Sequence, residues 1–206
     1  MRTRRRTAHG AALLYVLGAG PALACPAAAD LEGPGIGFTT SDGLAEVHRR
    51  IDADRIEVGY HSVGPPDIHR NVFIQGVYLH SSGTFDADGV LEDGSSGWIK
   101  RDRAISDIPI PAAGQSWTMS QAEVRPGRDL ENQQISSTVA AEFTWVLGAC
   151  SYTALPVTLT SQGGYQTLAQ EFNYLRDLGA GILVGLSGET VAGGFECVDI
   201  SVVRAR

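Results

Sequence analysis

The chain has 206 residues, and the part that follows the first 24 is long enough for one domain with a hydrophobic core. The first 24 residues hold four of the 16 basic side chains and no acidic one, so residues 25–206 carry 12 basic against 23 acidic side chains, a net charge of −11. So acidic a surface disfavours nucleic acids and anionic lipids as partners.

The amino terminus has the order of a secretory signal peptide. Four arginines lie within residues 2–6, an apolar run follows at residues 11–17, and Ala22-Leu23-Ala24 provides small residues at the spacing of a cleavage site. We therefore predict a signal peptide over residues 1–24 and export to an oxidising compartment, the bacterial periplasm or cell envelope.

The cleavage site has three interpretations. A cut after Ala24 leaves Cys25 as the first residue, whereas a cut after Ala29 leaves a single β-rich domain over residues 30–206. Acylation of Cys25 is the third, since the segment resembles a bacterial lipoprotein signal, although Ala22 stands where such signals usually carry leucine. The sequence therefore allows two forms of the mature protein, one anchored by a lipid at Cys25 and one exported without an anchor.

The first half of the mature chain predicts short strands. Ile56, Val58 and Tyr60 alternate with less apolar residues, and residues 45–51 predict a partner strand joined through a turn at 52–54. The alternative for residues 45–51 is a short helix capped by Ser41. Residues 72–79 predict one further strand, with Gly76 as a bulge.

The second half contains the clearest strand. A period of two runs from Ile135 to Trp145 with one apolar face, and residues 155–159 predict the return strand, which Pro156 shifts toward a sheet edge or a bulge. Residues 98–127 are expected to form short edge strands and loops. Strands are also predicted at residues 182–186 and 195–203.

Residues 165–178 fit two structures. Apolar residues recur there at helical spacing and Gly179 suits a helix end, so a short helix is favoured, although Leu168, Phe172 and Tyr174 also share one face of a strand. The predicted fold class is all-β and mainly antiparallel, a sandwich or a partly closed barrel, with one short helix near residues 165–178.

Three cysteines suggest one structural disulfide. Cys150 and Cys197 form the expected pair, because lipidation or removal of Cys25 leaves them as an even set in an oxidising compartment. No Cys-x-x-Cys motif is present, so a redox function is not expected.

An acidic loop is the candidate metal site. Asp86, Asp88, Glu92 and Asp93 lie within eight residues and have the oxygen ligands that calcium prefers. The EF-hand pattern fails after Asp88, and an Asp-x-Asp-Gly run is also typical of a solvated turn. No cofactor is predicted, and calcium at this loop is the alternative.

Four histidines precede residue 81 in the mature chain, at positions 48, 61, 69 and 80, without the spacing of a zinc or copper site. No serine hydrolase elbow, zinc protease motif or nucleotide-binding glycine loop is present. A hydrolase with a triad assembled from distant residues is therefore a weaker alternative than binding.

The sequence favours a non-enzymatic binding or structural module of the cell envelope. Its partner, a protein or a small ligand, is not specified by any motif. If the ligand is apolar, the sheet face that carries Val139, Phe143 and Trp145 is the expected site. A calcium- or metal-dependent module and the hydrolase are the alternatives, and no segment has the roughly 18 apolar residues of a membrane span.

Overall fold

A single antiparallel sheet dominates the computed structural model, together with two short 3₁₀ helices, Ala28–Glu32 and Ile105–Asp107. The structure describes residues 24–39, 45–61, 68–86, 88–127, 130–163, 167–188, 195–196 and 201–204. The all-β, antiparallel prediction is confirmed. No helix in this described part of the chain combines the length and apolar composition that crossing a membrane requires. Residues 1–23 of the predicted signal peptide lie outside the described residues.

The strands in chain order are β1 (Ile36–Thr39), β2 (Ala45–Arg50), β3 (Arg55–His61), β4 (Ile68–Ile74), β5 (Tyr78–Phe85), β6 (Gly97–Arg101), β7 (Ser116–Val124), β8 (Glu131–Val139), β9 (Phe143–Leu147), β10 (Cys150–Gln162), β11 (Leu168–Leu175), β12 (Ala180–Gly188), β13 (Phe195–Glu196) and β14 (Ser201–Arg204). Their order in the sheet is β13-β12-β11-β10-β8-β7-β6-β5-β4-β3-β2-β1-β14, and β9 also pairs with β10. Most neighbours in the sheet are therefore neighbours in sequence, as in a meander.

The two ends of this sheet are tied to each other by the chain. β13 pairs with β12 at one end, β14 pairs with β1 at the other, and only residues 197–200 separate them. Five Cα steps hold Glu196 and Ser201 within about 19 Å, whereas thirteen flat strands span roughly 58 Å. The sheet must therefore curl until its edges approach each other, which agrees with the predicted sandwich or partly closed barrel. The strand predicted for residues 195–203 is described only at β13 and β14.

Side chains from distant strands meet inside the curled sheet. The rings of Phe73 on β4 and Phe172 on β11 pack edge to face with their centroids 6.0 Å apart. The hydroxyl groups of Tyr78 on β5 and Ser137 on β8 lie 3.3 Å apart. These contacts join strands separated by several others in the sheet, so the concave side encloses the hydrophobic core.

The hairpin predicted for residues 45–61 is confirmed, and the helix alternative for residues 45–51 is wrong. β2 and β3 pair in register from Ala45 and His61 to Arg50 and Ile56. Asp52 closes the turn, since its Oδ1 atom accepts hydrogen bonds from the backbone N–H groups of Asp54 and Arg55. Ser41, the proposed helix cap, lies outside the described residues.

The single strand predicted for residues 72–79 is instead the tip of a hairpin. β4 ends at Ile74 and β5 begins at Tyr78, and Gly76 (φ +71°) lies in the turn, not in a bulge. The N–H of Gly181 donates to the Gly76 carbonyl, and a Cβ atom on Gly76 would stand 2.9 Å from the Gly179 oxygen. The third turn residue, Val77, is completely buried, so this turn carries an apolar side chain beside Gln75 and Gly76.

The long strand predicted from Ile135 to Trp145 is interrupted. β8 ends at Val139 and β9 starts at Phe143, and both pair with the same edge of the long strand β10. Pro156 lies opposite this break, where the neighbouring strand offers no regular acceptor, so the N–H that proline lacks is not needed for pairing. Its carbonyl oxygen accepts a hydrogen bond from the backbone N–H of Ala140. Pro156 therefore lies in the interior of the sheet, beside an irregularity of the neighbouring strand.

The helix favoured for residues 165–178 is wrong, because residues 168–175 form β11. This strand pairs with β10 on one side and β12 on the other, and its buried residues Phe172 and Tyr174 share one face. Backbone hydrogen bonding to the two neighbouring strands outweighs the weak helix propensity of the segment. Gly179 (φ +70°) ends the following turn, and its N–H donates to Leu175. Residues 164–166 lie outside the described part.

The segment that follows the predicted signal peptide is part of the folded structure. Pro26 is buried, and its carbonyl oxygen accepts a 3.0 Å hydrogen bond from the hydroxyl of Tyr152 on β10. Leu31, in the first 3₁₀ helix, is completely buried in the core. Residues 25–34 therefore close one side of the curled sheet before β1 begins.

Candidate binding cleft

A cleft opens on the concave side of the sheet beyond the hydrophobic core. It has a volume of about 220 Å³ and is lined by side chains of β5, β6, β7, β8, β10 and β11. Its polar residues are Arg101, Gln121, Glu123, Arg125, Gln133, Ser161 and Gln170, and its apolar residues include Ile99, Met119, Ile135, Leu159 and Leu168. The strand register produces this division, because the inward residues change from apolar to polar toward one end of the strands.

Gln133 organises the polar side of the cleft. Its Oε1 atom accepts hydrogen bonds from Gln121 Nε2 at 3.3 Å and from Ser161 Oγ at 3.1 Å. The Nε2 group of Gln133 and the Oε1 atom of Gln121 have no partner among the described residues, and neither does the amide of Gln170. The cleft therefore presents fixed donors and acceptors to its interior.

The apolar floor is joined to a buried hydroxyl network. Trp117 Nε1 donates a 3.2 Å hydrogen bond to the hydroxyl of Tyr78, which also contacts Ser137. The rings of Tyr78 and Trp117 pack edge to face at 5.0 Å. Burial raises the pKa of Tyr78, so this phenol stays neutral near pH 7. The network holds β5, β7 and β8 at the spacing that forms the cleft.

Arg101 is the cation of the cleft that has no carboxylate partner. One of its guanidinium Nη2 protons is donated to the carbonyl of Leu79, and its Nε atom is buried without a hydrogen bond. Burial lowers the pKa of Arg101 to about 10, which still leaves the group charged near pH 7. Glu123 pairs instead with Arg125 at the outer part of the same cleft.

The structure changes the disulfide predicted from the sequence. Cys150 lies at the start of β10, as expected for a hairpin cysteine, but its Sγ atom is bonded to Cys25 and not to Cys197. The predicted Cys150–Cys197 pair is wrong, because it depends on lipidation or removal of Cys25, and Cys25 is instead the cysteine that pairs with Cys150. Cys197 lies outside the described residues. The Cys25 sulfur in this bond is also the atom that a lipid thioether would occupy, so the two modifications exclude each other.

The acidic loop has the geometry of a turn in the structure. The Oδ1 atom of Asp86 accepts hydrogen bonds from the N–H groups of Asp88 and Val90, and Asp86 N–H donates to the Val90 carbonyl. Glu92 and Asp93 are exposed. No group of three or more metal-ligating side chains forms within the described residues. Calcium binding here stays an untested prediction, and Asp86 has a structural function without it.

The histidines occupy different environments. His48 is 1% exposed, its Nε2 lies 3.0 Å from Glu46 Oε2, and its Nδ1 has no partner. His69 is exposed beside Thr84, and burial followed by the charge of Arg101 lowers the pKa of half-buried His80. The side chain of His61 is not described. Across the described residues no histidine contacts both a serine and a carboxylate, so the triad alternative gains no geometric support.

The three residues of the sheet face proposed for an apolar ligand occupy different environments. Val139 is buried in the core, Trp145 is half-buried against it, and Phe143 is 39% exposed next to the break between β8 and β9. The interruption separates residues that a continuous strand would have aligned. Their distribution is that of ordinary core packing and a strand end.

The residues that line the polar cleft were missed in the sequence. Alternate residues of a strand share one face, so Gln133 lies on the same face of β8 as buried Ile135. Gln121 likewise lies on the same face of β7 as buried Met119. These inward polar positions were the available signal. The prediction of edge strands and loops for residues 98–127 gives Gln121 no buried face, and Gln133 precedes the strand predicted from Ile135.

Comparisons with known proteins add little to this description. No protein-family model and no curated protein matches the chain. Among solved structures it is similar to the hypothetical lipoprotein YmcC from Escherichia coli (K12), with a TM-score of 0.44 and 9% sequence identity. The similarity covers 85% of this chain and 89% of that chain. A likeness this weak carries no information about function.

Proposed function

We propose that this chain is an exported, non-enzymatic domain that binds a small hydroxylated molecule in its concave cleft. The observation that carries the proposal is the arrangement of three glutamine amides and one serine hydroxyl around an apolar floor. These four side chains are half-buried, so a ligand in the cleft can replace water as their hydrogen-bond partner.

The chemistry of the lining favours hydroxyl groups as ligand atoms. Gln133 is oriented by Gln121 and Ser161, which leaves a donor on Gln133 and an acceptor on Gln121 directed to other partners. A hydroxyl group donates and accepts at once, so it can bridge such a pair. The apolar floor of Met119, Ile135 and Leu159 suits the carbon skeleton of the same molecule.

The cleft volume limits the size of the ligand. At about 220 Å³ the cleft is smaller than the roughly 300–1,000 Å³ that is usual for drug-sized ligands. A single sugar ring or a molecule of similar size is therefore the expected occupant. The one carboxylate of the lining, Glu123, is paired with Arg125, so the lining does not offer the two carboxylates that glycoside cleavage normally uses, and we propose binding.

Export is supported by two features of the amino terminus. The order of basic, apolar and small residues before Cys25 is that of a signal peptide. The Cys25–Cys150 disulfide requires an oxidising compartment such as the periplasm. Both features agree with a mature chain that functions outside the cytoplasm.

The binding proposal is tested by NMR titration of the ¹⁵N-labelled mature protein with two probes, D-glucose and D-glucuronate. We expect at least one probe to shift the side-chain amide resonances of Gln121, Gln133 and Gln170. Gln133→Ala should abolish the shifts, whereas Gln162→Ala, an exposed glutamine at the end of β10, should leave them unchanged. Cleft resonances that stay unchanged with both probes would overturn the proposal.

A further inference from the structure

We infer that the ligand of this cleft carries one carboxylate, which pairs with the guanidinium of Arg101. This inference rests on the proposed binding function and specifies its ligand class as a small hydroxylated monocarboxylate. It follows from the position of Arg101, the balance of charges around the cleft and the hydrogen bonds that the described residues leave unmade.

Arg101 is held at the cleft by the backbone and not by an opposite charge. Its Nη2 group donates to the Leu79 carbonyl, while no carboxylate among the described residues forms an ion pair with it. A guanidinium has five N–H donors and no acceptor, and buried cations in proteins are normally paired. An anion in the cleft would supply the missing partner.

The other charges of the lining compensate each other. Glu123 forms an ion pair with Arg125, so the two cations and one anion around the cleft leave a single positive charge at Arg101. Asp102, next in sequence to Arg101, contacts Arg103 and accepts a bond from the N–H of Ser120 instead. The uncompensated charge of the lining is therefore +1.

This local charge opposes the charge of the whole mature chain. Residues 100–127 hold four basic and three acidic side chains, whereas the mature chain as a whole has 12 basic and 23 acidic ones. The charged residues of this stretch that line the cleft, Arg101, Glu123 and Arg125, have a net charge of +1 on an otherwise acidic protein. A local positive charge favours the entry of an anion despite the overall negative charge.

The anion that fits best is a carboxylate. Its two oxygen atoms match the planar fork of a guanidinium, and its single charge equals the single uncompensated charge of the cleft. A phosphate monoester brings a charge of about −1.5 to −2 and requires more cations than Arg101 alone provides. The neighbouring glutamines then bind the hydroxyl groups of the same molecule.

The test uses three sugars that differ at one carbon: D-glucose, D-glucuronate and D-glucose 6-phosphate. Dissociation constants are measured by NMR titration of the cleft resonances in wild-type protein at low salt. We expect glucuronate to bind about tenfold or more tightly than glucose, as for a charge-assisted hydrogen bond, and also more tightly than the phosphate. These comparisons on the wild-type protein need no variant.

Two variants assign the preference to Arg101. Arg101→Gln should reduce glucuronate affinity to that of glucose, and Arg101→Lys, which keeps the charge but not the fork, should retain part of it. Lys100→Gln removes an exposed charge one residue away and should change either affinity by less than about twofold.

The possible outcomes separate the two proposals. Glucose binding as tightly as glucuronate overturns the carboxylate inference and leaves the cleft as a neutral sugar site. Tighter binding of the phosphate also overturns it, in favour of a phosphorylated ligand. Failure of all three sugars to shift the cleft resonances overturns both the inference and the binding function on which it rests.

Discussion

Cys25 and Cys150 are joined by a disulfide that spans 125 residues of sequence and connects the start of the folded chain to the first residue of β10. The same junction contains the hydrogen bond from Tyr152 to the Pro26 carbonyl. A cut after Ala29 would remove both contacts, whereas a cut after Ala24 keeps them. We therefore expect cleavage after Ala24 and an unacylated Cys25, because only this combination retains both contacts.

The first prediction concerns the mature protein isolated from its native compartment. We expect its intact mass to correspond to an unmodified chain that starts at Cys25, with a gain of two hydrogen atoms on reduction. Alkylation of the unfolded, unreduced protein should label one cysteine, because the chain has three and two are bonded. A mass with added acyl chains, or a chain starting at Asp30, would contradict this prediction.

The second prediction is that the disulfide contributes substantially to stability. Cys25→Ser should lower the free energy of unfolding by roughly 2–5 kcal/mol, because a cross-link over a long loop restricts the unfolded chain. Urea unfolding followed by circular dichroism measures the change. Cys197→Ser is the matched control and should retain the disulfide and most of the stability. A larger loss of stability in Cys197→Ser than in Cys25→Ser would show that Cys150 pairs with Cys197 instead.

The fold class was predictable because alternation is a local property of the sequence. Ile56 and Val58 in β3 and Ile135 and Val139 in β8 were assigned to buried faces correctly. Such patterns depend on which side of a strand faces the core, and this can be read without knowing the neighbouring strands. The all-β antiparallel class followed from them.

The errors share a different physical cause. Val77 is apolar in a turn because the tip of the hairpin packs against Gly181, and residues 168–175 form a strand because β10 and β12 flank them. Both depend on contacts between distant parts of the chain, which local propensity does not include. The cleft was not predictable for the same reason, since its lining comes from six strands whose order in the sheet local patterns do not give.

The third prediction separates a turn from a calcium site at Asp86. Asp86→Asn keeps an oxygen atom that accepts the N–H bonds of Asp88 and Val90, so its melting temperature should match wild type. Asp86→Ala removes the acceptor and should cost roughly 0.5–1.5 kcal/mol of stability. Calcium and a chelator should leave all three proteins unchanged. A calcium-dependent rise in wild type that Asp86→Asn lacks would instead establish a metal site.

The fourth prediction is that stability falls at alkaline pH as buried tyrosines ionise on unfolding. Burial is the largest cause that raises the pKa of Tyr60, Tyr78 and Tyr174 above the ordinary value of 10.0. A raised folded-state pKa means that the neutral phenol is favoured by the fold, so this stabilisation is complete below the unfolded pKa. It is lost as the pH rises from about 10 through the folded pKa values, because only the unfolded chain releases its protons readily.

Ultraviolet absorbance of tyrosinate, recorded together with circular dichroism, tests this fourth prediction. In the wild type, the absorbance of these three tyrosines should rise only together with the loss of β-structure. Tyr60→Phe removes one buried phenol, so unfolding at high pH should release one proton fewer and depend less steeply on pH. Full ionisation of the tyrosines near pH 10 in a protein that stays folded would show that their hydroxyl groups are accessible to solvent, contrary to the packing of Tyr78 against Trp117 and Ser137.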